Sequence, residues 1–210
     1  YSLNNDIDYV ESGIPFIRGV NMKHGRVNFC DMLYISPEAN ALLWKSEVKE
    51  GMVLLSMSGT IGDVAIANSN WPYPVNSNQD IAKIDTHGVL NAFVLYAYLL
   101  SRYGQNYLHR EARGSVQQHV FLSQIEQLEF PSFSEELAKS VQQVVEKSEQ
   151  LYLLAGKEIR SAEKELLQAL GLDAWTPPEA LSYVRSSRET FAAGRFDAEY
   201  FHPAKAQALA

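Results

Sequence analysis

The chain reads as an α+β protein, a strand-rich domain followed by a long coiled-coil-forming helix. Two observations predict this. Between Ile14 and Ile84, short β-branched and aromatic runs are divided by Gly, Asn, Pro and Ser, which is how strands and their turns are written. Between Ser132 and Leu170 there is no proline, and only Gly156 weakens a helical pattern with apolar residues three and four apart. The boundaries that follow are a strand-rich domain over 1–131, a long helix over 132–172 and a helical extension over 173–210.

Within the first segment, Ser36-Pro37-Glu38 opens a short helix through about Lys45, with Ser36 as N-cap and Pro37 at the first helical position. Met52 to Met57 is a nearly continuous apolar run that suits a buried strand. Ser58 to Asp63 supplies small residues for a tight turn, and Val64 to Ala67 returns as the second arm of a hairpin. Helical spacing takes over after Gly88, at Leu90, Phe93, Val94, Ala97, Tyr98 and Leu100, with Gly104 as a candidate interruption. Ser123 with Glu126 reads as a capping box for one further short helix, and Phe130-Pro131 closes the domain.

Ser132 with Glu135 is a second capping box, opening the longest helix of the chain. Leu137, Val141, Val144 and Leu151 lie along one seam, and Ile159 and Leu166 resume it after a phase shift near Gly156. At 1.5 Å per residue such a helix runs roughly 55 Å, longer than a domain of this size can cover, so its seam calls for a second helix. Gly171 stops it, and Thr176-Pro177-Pro178-Glu179 caps another helix through about Thr190.

Composition narrows the function classes. With 46% hydrophobic and 20% charged residues the chain is globular rather than disordered. No apolar run approaches the ~20 residues of a bilayer span and no signal core is present, so the expected location is cytoplasmic and away from any membrane. The single cysteine, Cys30, excludes an internal disulfide and a zinc site of paired cysteines, and reads as a small buried hydrophobe. Five histidines show no metal spacing. Gly156-Lys157 lacks the glycines of a phosphate loop, and no nucleophile–base pair can be named. We therefore expect no catalytic residue, no metal and no cofactor. Asn70-Trp71-Pro72-Tyr73 looks superficially like the Asn-Pro-Pro-Tyr loop of adenine-N6 methyltransferases, but Trp71 replaces the first proline and no Gly-rich cofactor turn accompanies it. A proline-rich packing loop is the better reading.

Four stretches remain: Gly13-Ile14-Pro15-Phe16-Ile17-Arg18, Gly51 through Gly62 with its Ser58-Gly59-Thr60-Ile61-Gly62 turn, Asn76-Ser77-Asn78-Gln79, and Gly114-Ser115-Val116-Gln117-Gln118. In this order, followed by the long helix, they resemble one repeat of a DNA sequence-specificity subunit of type I restriction-modification systems, over about Ser12 to Leu172. The resemblance implies one target-recognition domain plus a conserved spacer helix. It also implies double-stranded DNA as ligand, with DNA adenine methyltransferase subunits and a restriction (translocase/endonuclease) subunit as partners that hold the chemistry. A second repeat, or a second copy of the chain, would pair through the long helix at Leu137, Val141, Val144, Leu151, Ile159 and Leu166. The aromatic, polar end from Gly194 to Pro203 resembles the lead-in to a further repeat, and Tyr1 in place of an initiator methionine reads as a fragment of a longer chain. Two other readings stay open: the recognition domain of a fused restriction-methylation enzyme, and a coiled-coil assembly scaffold that binds no DNA.

A sequence reader needs Arg for guanine, Asn or Gln for adenine, and cations for phosphate, presented from loops on a rigid frame. Arg18, Asn21, Lys23, His24 and Arg26 form one candidate loop. Asn76, Asn78, Ser115, Gln117 and Gln118 offer groups from the motifs themselves, and Arg110 and Arg113 are candidate phosphate contacts. The formal net charge of −7 opposes DNA binding overall, but the acidic residues concentrate on the long helix, which leaves room for a basic face elsewhere. Motif residues shared by readers of different targets cannot encode one target, so they are expected mainly to form the frame, with any DNA contacts more to phosphate than to bases.

Overall fold

The computed structural model describes residues 9–114, 118–174 and 184–202. The chain divides into two compact units, Tyr1–Glu149 and Gln150–Ala210.

The first unit is built around the hairpin expected from the sequence. In chain order its strands are β1 (Tyr9–Val10), β2 (Ile14–Ile17), β3 (Met22–Lys23), β4 (Arg26–Val27), β5 (Leu33–Ile35), β6 (Glu47–Val48), β7 (Val53–Ser56), β8 (Val64–Ile66), β9 (Val75–Ser77) and β10 (Ile81–Ile84). A three-stranded sheet of order β10-β7-β8 is antiparallel throughout, and a five-stranded sheet runs β1-β5-β2-β9-β6. Within the latter, β2 and β9 pair in parallel, Phe16 opposite Asn76 and Ile17 opposite Ser77.

The run Met52–Met57 is apolar on both faces because β7 is covered on both. Val53, Leu55 and Met57 point into one core with Val64, Ala82, Leu95, Leu99, Leu108 and Val120. Leu54, between them, points into a second core with Ile17, Met22, Val48, Ala65, Val75 and Ile81. The alternation of a strand thus serves two cores, and the one polar residue of the strand, Ser56, turns its hydroxyl to the Ser58 carbonyl and Thr60.

The helices of the first unit are α1 (Pro37–Leu42), α2 (Ala92–Leu100), α3 (Arg102–Glu111) and α4 (Leu122–Glu126), followed by the first turns of α5 (Glu135–Ala169). The first is capped as expected, Ser36 Oγ accepting from the Ala39 N–H, and a short 3-10 turn, Trp44–Ser46, continues it. Three expected boundaries move. The break between α2 and α3 falls at Ser101, whose hydroxyl caps α3, rather than at Gly104. Gly104 sits inside α3 because a Cβ there would collide with the Tyr98 carbonyl across the tight junction. The cap of α4 is not Ser123: Gln124 Oε1 accepts from the Phe121 N–H. The cap of α5 is Ser134, accepting from the Leu137 N–H, two residues past the expected Ser132.

Cys30 is exposed, not buried, since it lies in a turn where its N–H donates to Asn28 Oδ1. The first turns of α5 pack against the first unit: Val145 lies on the first core and Asn91 Nδ2 reaches Gln142 Oε1 at 3.4 Å.

In the second unit α5 ends as expected at Gly171, which is left-handed at φ 67°. The Leu172 N–H returns to the Leu167 carbonyl and the Gly171 N–H to Gln168, a Schellman closure. The start of the helix expected from Thr176 lies outside the described residues. Its expected end is corrected: α6 spans Ser187–Ala193, capped by a Ser186–Glu189 box, with Val184 to Ser186 not helical.

Leu55 is fully buried in the shared strand, so Leu55→Ala should lower unfolding stability by about 2–5 kcal/mol in a denaturant titration. A loss below ~1 kcal/mol would contradict the two-core account.

Candidate nucleic-acid interface

The β7–β8 turn is where the stretches singled out in the sequence approach one another. Its residues are tied internally: Ser56 Oγ and Thr60 Oγ1 lie 3.0 Å apart, and the Ser56 hydroxyl donates to the Ser58 carbonyl. Gly59 and Gly62 take positive φ, at 72° and 88°, which the turn requires. Onto this turn comes the chain leaving β2. At Gly19 a Cβ would stand 2.9 Å from Thr60 Oγ1 and 3.2 Å from Ser56 Oγ, so glycine permits the approach.

The end of β9 arrives beside it. The Asn78 N–H donates to the Ile17 carbonyl at 2.9 Å, and the Met57 N–H to the Asp80 carbonyl at 2.7 Å. From the far side come the residues that flank the fourth stretch. Arg113 and His119 exchange backbone hydrogen bonds of 2.9 and 2.8 Å, closing a short loop whose base is held by a Ser58–His119 bridge and a Val120 N–H bond to Met57. Four segments distant in sequence therefore share one edge of the domain.

The β3–β4 hairpin joins the same edge. Its tip turns at His24 and Gly25, both left-handed at φ 53° and 80°, leaving Lys23 and His24 exposed. Their charges are felt at Asp63, on the turn opposite. Burial raises the Asp63 carboxyl above its usual range, while a hydrogen bond with Thr60 and the nearby His24 and Lys23 pull it partly back.

The candidate residues sort into three groups. Asn76, expected as a DNA contact, is fully buried: its amide donates to Asn40 Oδ1 at 2.8 Å and to the Leu43 carbonyl at 3.2 Å, and its own Oδ1 accepts from the Ser77 N–H. Asn21 is likewise buried, accepting from the Arg18 N–H and donating to the Asp31 carbonyl. Arg26 is turned to α5, on Ser148 and Glu149. All three side chains are engaged within the first unit, Asn21 and Asn76 buried and Arg26 on α5.

Lys23, His24, Arg113 and Gln118 are exposed on or beside the shared edge, and Arg18 is half-buried there. Arg18 Nε and Asn78 Oδ1 are buried without a hydrogen-bond partner, although the Asn78 amide donates to Asp80 Oδ2. Ser115 and Gln117 lie outside the described residues.

Arg110 stands apart. Gln105 of the same helix reaches the motif turn, donating to the Gly62 carbonyl at 2.8 Å, but Arg110 lies about 140° further round α3. It pairs with Glu111 at 3.1 Å and lies over the Tyr107 ring, beside a cleft also lined by Tyr98, Tyr103 and Glu129.

Thr60, Asp63, Gln79 and Gln105 are residues that the sequence did not mark as contacts and the structure brings to this edge. Gln79 is exposed; Gln105 was recognisable only as one of several amides in a basic stretch. The Trp71 loop does what a packing loop does, Trp71 lying edge-on to Phe29 at 5.2 Å and stacked on Tyr73. Among the described residues, no helix is long and apolar enough to cross a membrane, and no group of three or more His, Cys, Asp or Glu is disposed to hold a metal.

A rigid β scaffold that displays cations and amides along one edge is a polar recognition module. Residues 3–136 match the type I restriction modification DNA specificity domain. The match spans most of the chain, and the chain belongs to this family. Two solved structures are similar to it. One, from work on the assembly and conformational transition of the type I R-M system, is 18% identical with a TM-score of 0.49, over 80% of this chain and 43% of that one. The other, the S subunit of a type I restriction-modification system from M. genitalium, is 17% identical with a TM-score of 0.46, over 83% of this chain and 46% of that one. This chain thus spans less than half the length of either. No curated protein sequence matches it.

Two outcomes follow. Asn76→Ala should cost about 1–3 kcal/mol of stability, by stranding the acceptors on Asn40 and Leu43, and leave duplex affinity of the folded protein unchanged. Asp63→Asn should tighten binding to any duplex at neutral pH, by removing an anion from beside Lys23 and His24. The sign in pH follows from the raised carboxyl. Folding favours its protonated form, so this contribution to stability is present at low pH and lost as pH rises through the raised value. The asparagine variant should lack that dependence in pH-resolved melts.

Proposed function

We propose that this chain reads one half-site of a bipartite DNA target, and that partner subunits of a type I restriction-modification complex act on what it selects. The observation that carries this reading is the convergence of the first three motif stretches and the residues flanking the fourth on one edge that displays Arg18, Lys23, His24, Arg113 and Gln118. Family membership supplies the ligand class. Phosphate contacts from Lys23 and Arg113 would place the duplex. Base contacts would come from the loops between the motifs, because the motif side chains that can be followed are largely spent on the frame.

The partners in this reading are adenine methyltransferase subunits and a restriction subunit, in the cytoplasm. The long helix supports the assembly half of it. Leu137, Val144, Leu151, Ile159 and Leu166 are exposed along α5, between 45% and 69%, while Val141 is half-buried. An apolar row of this length is what a second helix, from another repeat or another copy, would cover. Two identical copies related by a twofold axis would read an inverted repeat with an untouched spacer.

Two measurements test this. In a salt titration of duplex affinity, Arg113→Ala should weaken binding to all sequences and reduce the log–log slope by about 0.9, one phosphate contact; an unchanged slope removes Arg113 from the interface. Mapping of methylated adenines in cells carrying the chain with its methyltransferase should return an interrupted target. A continuous one would contradict the half-site reading.

A further inference from the structure

Between β2 and β3 the chain is pinned on both sides of one exposed hydrophobe. It makes a 3-10 turn over Gly19–Asn21, closed by the Asn21 N–H on the Arg18 carbonyl at 2.9 Å and the Met22 N–H on the Gly19 carbonyl. Gly19 lies against the β7–β8 turn, where a Cβ would stand 2.9 Å from Thr60 Oγ1. The Asn21 side chain is buried, accepting from the Arg18 N–H and donating to the Asp31 carbonyl, and the Asn21 carbonyl accepts from the Asn28 N–H at 2.8 Å. Met22 is wholly buried in the second core. Val20, in the middle of this turn, is 60% exposed.

A valine held this way has little freedom, because its neighbours fix the backbone and its β-branched side chain is stiff at χ1. It also stands among the candidate cations. Arg18 lies two residues before it, and Lys23 and His24, three and four residues after it, are exposed at the hairpin tip. An edge that meets a duplex through these cations brings Val20 to the duplex as well, yet its side chain neither donates nor accepts a hydrogen bond. The apolar group that a base edge offers in the major groove is the thymine 5-methyl. Adenine, guanine and cytosine present donors and acceptors there that a valine would cover without pairing, which is costly. We propose that Val20 is a specificity-determining residue that recognises the 5-methyl group of a thymine in the major groove, so that the half-site contains an A·T pair at this place. The proposal rests on the half-site reading above and adds to it one residue and the base that residue selects.

The test is a uracil scan. The full chain, assembled with its methyltransferase, is titrated with duplexes carrying the mapped target, in which each thymine of the half-site, on either strand, is replaced singly by uracil. Uracil keeps the hydrogen bonds of thymine and lacks only the methyl. At one position the replacement should weaken binding by the parent chain about fourfold, the scale of burying one methyl group. Val20→Ala should bind the thymine and uracil duplexes equally well at that position, with its melting temperature and salt slope unchanged, since the side chain is exposed and uncharged. Val20→Ile, which keeps a branched apolar surface, should retain the difference. A uracil effect that is absent at every thymine, or that persists at full size in Val20→Ala, overturns the proposal. So does a Val20→Ala chain that parts from its methyltransferase, which would make the valine a protein contact. A parent complex with no preference among duplexes fails the half-site reading itself, whereas one that selects a target yet is indifferent to uracil overturns the role of Val20 alone.

Discussion

Everything on the recognition edge depends on one close approach, that of Gly19 to the paired hydroxyls of Ser56 and Thr60 at the end of β7. β7 is buried on both faces and contributes to both cores, and the turn leaves directly from it. The chain after β2, the end of β9 and the base of the 113–119 loop are each hydrogen-bonded or packed against this turn or the strand residue before it. A side chain larger than hydrogen at Gly19 would force the Thr60 hydroxyl aside and disturb its pairing with Ser56.

The buried motif side chains form the frame of the domain rather than its surface. Asn76 and Ser77 spend their polar atoms on the Asn40–Ser46 corner, Ser77 Oγ donating to the Ser46 carbonyl, and Lys83, whose ammonium is held below its ordinary range by burial, donates to Ser77 in turn. Such side chains are costly to leave unpaired and therefore resist exchange. The loops they support bear no such constraint. The net charge is distributed in the same sense. Glu149 is taken up by Arg26, and a chain of charge −7 still presents lysine, histidine and arginine at one edge of the first unit.

Much of the fold was legible in the sequence where a local rule acts. The β7–β8 hairpin, the Ser36 cap and the Gly171 stop follow from turn and capping chemistry. What was not legible was tertiary. Gly104 reads as a breaker from its intrinsic propensity, yet it is helical because the Tyr98 carbonyl leaves no room for a Cβ. Cys30 reads as buried by type and is exposed by its place in a turn. At the site, residue type selected Asn21, Asn76 and Arg26 as readers, but type does not say which way an amide or a guanidinium points. The Arg18 and Asp31 backbone decides it for Asn21, α1 and its end for Asn76, and α5 for Arg26. Thr60 and Asp63 escaped notice because their importance comes from where the turn is placed rather than from their spacing.

The central claim is that one edge, made where the four stretches meet, faces the duplex. Amide hydrogen exchange of the chain in its complex, with and without a duplex carrying the mapped target, tests this most directly. The account predicts slowed exchange at Arg18 to Gly25, Ser58 to Asp63 and Arg113 to His119, with no change at Leu42 to Ser46 or along the outer face of α3. Protection confined to α5, with those three segments unchanged, would contradict it.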